Sequence, residues 1–138
     1  MNIKRIALGA AAYTLVTFPL AILWHVVFFK DLYEAFGYFQ GAPSFLLGFL
    51  TILIQGVILS GLYPLVALAG SAPRRGLKFA ALVGSFFWTS HVLAFIAKQA
   101  VAQAPLFGAM ETGYLVLQFG IFGLLISQVY KSSTAGEA

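Results

Sequence analysis

Long uncharged stretches alternate with short charged punctuation along this chain. Charges stand at Lys4, Arg5, Lys30, Asp31, Glu34, Arg74, Arg75, Lys78, Lys98, Glu111, Lys131 and Glu137, leaving uncharged runs over 6–29, 35–73, 79–97 and 112–130. A bilayer core is about 30 Å thick and a helix rises about 1.5 Å per residue, so one crossing needs about 20 apolar residues. The first, third and fourth runs each hold one crossing. The second holds one crossing behind a loop broken by Gly37, Gly41 and Pro43. The pattern predicts four helices, about 6–29, 44–69, 77–100 and 109–130, in one transmembrane domain covering 1–138. The runs are continuous in Leu, Ala, Phe and Ile and do not alternate as barrel strands would. The expected fold is therefore an all-α, integral-membrane four-helix bundle.

Composition sharpens this reading. Of 138 residues, 61% are hydrophobic and only 9% charged, against about 25% charged in a soluble domain. That excludes an ordinary cytosolic enzyme, a disordered chain and a nucleic-acid-binding domain, and makes the lipid bilayer the first partner. The Lys4-Arg5 start resembles a secretory signal, but the apolar stretch behind it is too long for a signal core and reads as an uncleaved first span. Lys and Arg number six on one side (Lys4, Arg5, Arg74, Arg75, Lys78, Lys131) and two on the other (Lys30, Lys98). The excess of basic residues predicts that both termini lie in the cytoplasm. The chain has no cysteine, which excludes disulfides and thiolate metal sites. In the first outer loop, Leu32, Tyr33, Phe36 and Phe39 suit a short interfacial helix acting as a structural collar. The polar tail 131–138 is expected to fray.

The few polar residues inside the spans recur at helical spacing. They form stripes of Ala10, Thr14, Thr17, Ala21 and His25 on the first helix, and Gly48, Thr51 and Gln55 on the second. The third carries Gly84, Trp88, His91, Phe95 and Lys98, and the fourth Glu111, Tyr114, Gln118, Phe122 and Leu125. Polar groups in a span usually face the bundle interior. The stripes predict a cavity in the outer half, with a mouth at Lys98 and Glu111 and a floor at Gln55 and Gln118. His25 with Gln55 and His91 with Gln118 further suggest two parallel two-helix repeats about an axis along the membrane normal. Gly56, Ser60 and Pro64 make a second small face, suited to close packing or to a homodimer contact. Pro19 and Pro64 are expected to kink their helices.

Several side chains carry chemistry. His25 and His91 could bind haem or a metal from neighbouring helices. More simply, they are hydrogen-bonded within the bundle or handle a substrate or proton. Glu111 and Lys98 are expected to pair at the outer mouth, and Gln55 and Gln118 to bond between helices. No catalytic triad order, paired catalytic carboxylates or phosphate loop appears in a usable context.

The segment from Leu23 to Tyr33 reads L-W-x-x-V-x-x-K-x-x-Y, through Leu23, Trp24, Val27, Lys30 and Tyr33. It resembles the first-helix exit of a family of small four-span bacterial membrane proteins classed as a domain of unknown function. Glu111-Thr112-Gly113-Tyr114 is similar to the acidic, aromatic and glycine opening of that family's fourth helix. Trp88-Thr89-Ser90-His91 departs from its third-helix cluster by lacking Asp and Asn. The resemblance implies four spans and brings no activity with it.

The sequence thus points to a non-enzymatic bacterial inner-membrane protein. It would bind, and could transport, a small or lipid-like ligand in an outward-facing cavity lined by His25, Gln55, Trp88, His91, Lys98, Glu111, Tyr114 and Gln118. No cofactor is required by this reading. The alternatives are a haem- or metal-binding redox subunit using His25 and His91, and a structural or assembly subunit of a membrane complex. A homodimer or larger membrane assembly fits any of the three.

Overall fold

A computed structural model describes residues 2–39 and 41–131. It is helical throughout, with no strand among the described residues. Four helices are long and apolar enough to cross a membrane. We label them α1 (Ile3–Phe28), α3 (Phe45–Leu65), α4 (Ala72–Lys98) and α5 (Ala104–Val129), with a short α2 (Lys30–Ala35) between the first two. Local chemistry sets their ends. The Asn2 and Ser44 side chains accept from the backbone N–H of Arg5 and Leu47, replacing helix partners that the first turn lacks. α5 begins at Ala104 rather than near 109, because Gln103 turns left-handed (φ 52°) and a proline then sits in the first turn, where its missing N–H costs nothing. Pro64 does not kink its helix as expected. It lies in a closing 3₁₀ turn, Tyr63–Leu65, and ends α3 before the expected 69. The frayed tail expected beyond Lys131 lies outside the described residues.

Two hairpins build the bundle. α1 packs along α3, α4 packs along α5, and α1 against α5 joins the pairs. α3 and α4 scarcely meet, so the bundle is open along one side. α5 is the most buried span and α3 the least. One end of the bundle carries the start of α1, the end of α5 and the 66–71 turn; the other carries α2 and the 99–103 link.

The termini end is closed by small residues. Gly9 and Ala10 lie against Gly56 and Ser60, and Gly76 lies against Gly123. A side chain at Gly56 would come within 3.0 Å of the Ala10 carbonyl, and one at Gly76 would strike the Gly123 carbonyl. Such residues let helices approach until their backbones touch. The Gly56 and Ser60 face is thus internal and is not a homodimer surface, while Pro64 is exposed. Tyr130 hydroxyl donates to the Ser60 carbonyl at 2.7 Å.

Two π-helical segments lie towards the loop end, Leu23–Phe28 in α1 and Trp88–Leu93 in α4. Each holds one of the two histidines. A π turn inserts a residue into the helical period and re-aims the side chains beyond it. The predicted stripes hold only in part. Thr14, Thr17 and His25 are buried in α1, as are Glu111, Tyr114, Gln118 and Phe122 in α5. Leu125 is exposed and Ile126 is buried instead. On α3, Thr51 is exposed and donates back to the Leu47 carbonyl, leaving Gln55 as the stripe's inward polar residue.

Candidate functional site

The site forms where the π segments bring both histidines to one carboxylate. Glu111, fully buried in α5, receives His25 Nε2 on Oε1 at 2.8 Å and His91 Nε2 on Oε2 at 2.7 Å. Tyr33 of α2 reaches down and donates its hydroxyl to Oε1. Trp24 Nε1 in turn donates to the Tyr33 oxygen at 2.9 Å. Three donors from three elements therefore converge on the one carboxylate within the four spans. Removing one partner of a buried, paired charge costs about 3–5 kcal/mol, so this cluster holds the loop end together.

The expected Lys98–Glu111 pair does not form. Lys98 is exposed as the last residue of α4, and Glu111 is enclosed by the histidines. The short helix expected in the first loop forms as α2, but its aromatics face inward and not the headgroups: Tyr33 and Phe36 are 0% and 1% exposed. They plug into an aromatic cluster with Tyr38, Phe95 and Phe107, with Phe36 and Phe107 centroids 5.6 Å apart. Burial first, and then the Glu111 charge, push the Tyr33 and Tyr38 phenols well above their ordinary range. Tyr33 thus remains a proton-bearing donor at any physiological pH.

A pocket of about 260 Å³ opens beside the cluster, at mid-helix depth, on the open side between α3 and α4. Thr17, Gln55, Ser90, His91, Tyr114 and Gln118 supply its polar lining, and Ile52, Phe87 and Leu115 its apolar lining. His91 joins cluster to pocket: its Nε2 is on buried Glu111, while its side chain is 37% exposed. Tyr13, which the sequence reading overlooked as a site residue, bridges the two glutamines. Its hydroxyl donates to Gln55 Oε1 at 3.2 Å and accepts from Gln118 Nε2 at 2.7 Å.

Of the eight expected site residues, Gln55, His91, Tyr114 and Gln118 line this pocket, and His25 and Glu111 form the adjoining cluster. Trp88 and Lys98 are not brought in. Trp88 donates to the Thr112 hydroxyl at 2.9 Å and lines a separate, larger groove of about 630 Å³ between α4 and α5. That groove is lined by Ala80, Ala81, Gly84, Phe119 and Gly120, and none of His25, His91 and Glu111 lines it. Thr17, Tyr13, Trp24 and Tyr33 are the additions. Thr17 lay on a predicted stripe, whereas nothing local in the sequence marks Tyr33 as a partner of Glu111.

A haem or metal between the histidines would need a ring nitrogen from each, and His25 has Nδ1 on the Ala21 carbonyl and Nε2 on Glu111. His91 also has its Nε2 on Glu111, and among the described residues no group of three or more His, Cys, Asp or Glu is arranged to hold a metal. No family profile, curated protein or solved structure matches this chain.

Proposed function

We propose that this protein binds a small amphiphilic ligand, which enters from the bilayer between α3 and α4 and seats its polar head in the pocket beside His91. One observation carries the reading. At mid-membrane depth the pocket is lined by Thr17, Gln55, His91, Tyr114 and Gln118, and among the described residues no hydrogen-bond partner is found for the buried Thr17 hydroxyl, the Tyr114 hydroxyl, His91 Nδ1, Gln55 Nε2 or Gln118 Oε1. An unsatisfied polar group in hydrocarbon costs several kcal/mol, so these groups call for a polar occupant. The volume is below the range of about 300–1,000 Å³ usual for whole drug-sized ligands, which suits a head group whose tail runs out between the helices.

The test is mass spectrometry of protein purified in native lipid particles. Wild type should retain a bound amphiphile in near-stoichiometric amount, and the Gln55→Leu, Gln118→Leu double variant should lose it. Equal retention by both would overturn the reading. An absorption spectrum of the same sample showing a haem band would overturn it in favour of a redox subunit.

We further place the protein in the inner membrane of a bacterium with both termini cytoplasmic, on the six-to-two distribution of basic residues. Because the chain has no cysteine, single substitutions report cleanly. Ser44→Cys should react with an impermeant thiol reagent from outside, and Ser71→Cys only after lysis.

A further inference from the structure

We propose that the groove between α4 and α5 holds one acyl chain of an anionic phospholipid whose phosphate sits on Arg74 and Lys78. This site is separate from the pocket beside His91 and does not depend on the ligand-binding reading.

The sequence of α4 sets the site up. Arg74, Lys78, Ala81, Ser85 and Trp88 recur at steps of four and three, so they share one stripe of the helix. Ala81, Ser85 and Trp88 line the groove, and the two bases stand at its Leu77 end. Small residues at Ala80, Ala81, Gly84 and Gly120 make the hollow, about 630 Å³ in all. Leu77 on its α4 side and Val116 on its α5 side are exposed, so it opens to the outside of the bundle.

The groove suits hydrocarbon. Its polar side chains are Ser85, Trp88, Thr89 and Thr112, and each has given its hydrogen to a partner within the helix pair. Ser85 donates to the Ala81 carbonyl at 2.7 Å and Thr89 to the Phe86 carbonyl at 2.8 Å. Trp88 Nε1 donates to the Thr112 hydroxyl, which donates in turn to the Gly108 carbonyl at 2.6 Å. No side-chain donor is left for a polar head. An empty hollow would forfeit the dispersion contacts of its walls, and an acyl chain supplies them. From Leu77 to Trp88 the groove runs about 16 Å at the helical rise. One leaflet of hydrocarbon is about 15 Å deep. The chain therefore belongs to a lipid whose head lies at the Leu77 end.

The charge at that end selects the head. Lys78 bends back, its Nζ donating to the Ala69 carbonyl at 2.9 Å, and an ammonium has two further hydrogens to give. The Arg74 stem lies over Gly70, where an added Cβ would meet it at 3.2 Å. Both bases thus gather on the same turn, and no described residue pairs with the Arg74 guanidinium. Ser71 makes no side-chain cap, so the positive end of α4 adds to the same sign. The acids among the described residues, Asp31, Glu34 and Glu111, all lie at the other end of the bundle. A phosphate supplies the missing counter-charge, and a guanidinium can grip two of its oxygens at once. A second copy packed here in the same orientation would instead set one Arg74 and Lys78 pair against another, like charge on like.

The experiment is native mass spectrometry of the full chain in micelles, titrated with phosphatidylglycerol, with phosphatidylcholine of the same chains, or with glycerol 3-phosphate. A basic residue near a membrane surface is worth about fivefold in affinity for an anionic lipid. Wild type should therefore bind one phosphatidylglycerol at least about tenfold tighter than phosphatidylcholine. Glycerol 3-phosphate, a head with no chain, should bind at least about tenfold more weakly than phosphatidylglycerol. Arg74→Gln with Lys78→Gln should erase the preference between the lipids. Lys4→Gln with Lys131→Gln removes as much charge from the same end but off this stripe, and should keep it. Ala81→Leu with Ser85→Leu, at exposed positions, fills the groove. It should weaken phosphatidylglycerol at least about tenfold and leave glycerol 3-phosphate unchanged. The glutamine variants decide the question even if the leucine variant does not fold. Equal affinity for the two lipids, equal loss in both glutamine variants, tight binding of glycerol 3-phosphate, or undiminished binding once the groove is filled would each overturn the inference. A lipid-free dimer that the leucine variant disrupts would overturn it in favour of a second copy.

Discussion

The two ends of this bundle solve the same packing problem with opposite materials. At the termini end, helices touch backbone to backbone over Gly56, Gly76 and Gly123, and Gly9 makes room for the Ser60 and Ile126 side chains. At the loop end they are held apart by large rings and joined through Glu111, two histidines and Tyr33. The first arrangement depends on shape and leaves no room. The second depends on a charge and its donors, and leaves a pocket beside it. The contrast suggests that rigidity and chemistry have been assigned to different depths of the membrane.

Substitutions can break this contrast, and the largest effect belongs to the carboxylate. Glu111→Leu should cost about 3–5 kcal/mol by stranding His25 and Tyr33 without their acceptor, read as denaturant-induced unfolding in micelles. A loss below about 1 kcal/mol would mean that the loop end is held by its rings alone. Next comes the other end: Gly76→Val should cost about 1–3 kcal/mol through overpacking, while the protein that still folds keeps wild-type ligand retention. Lost retention in folded protein would show that the two ends are coupled.

Tyr33→Phe should cost about 1–3 kcal/mol by leaving Trp24 Nε1 and Glu111 each one partner short. The same residue sets an alkaline limit. The folded-state ionisation of Tyr33 and Tyr38 is raised, so their contribution is complete below the unfolded value of about 10 and drains away as pH climbs past it. Unfolding should coincide with growth of the phenolate band, and Tyr33→Phe should make the alkaline loss of stability shallower. The smallest effect is expected at Ser60→Ala, about 0.5–1.5 kcal/mol for one hydroxyl contact, with no change in retention.

The spans were legible because charge is so costly in hydrocarbon that its spacing marks each crossing. The buried faces of α1 and α5 were legible for a related reason: polar groups such as Thr17 and Gln118 must turn inward. The π turns were not, since a change of helical period leaves no fixed residue signature. Trp88 and Lys98 therefore looked aligned with His91 but point elsewhere. Tyr33 was hidden because aromatics near a membrane boundary usually face lipid headgroups. Lys98 was the nearest charge to Glu111 in sequence, yet two histidines already in the membrane offer it donors without dragging an ammonium inward. The gap between α3 and α4 is a matter of which helices fail to meet, and no single helix records it.

One bond reaches across most of the polypeptide: Tyr33 near the beginning closes on Glu111 near the end. During synthesis the first loop emerges long before its acceptor exists. The last helix must then leave the translocon carrying a bare acid into lipid. His25 and His91, inserted earlier, are already waiting to hydrogen-bond it. Insertion of α5 is thus the step that fastens α2 in place, and a nascent chain halted before that helix would leave its first loop undocked and open to protease.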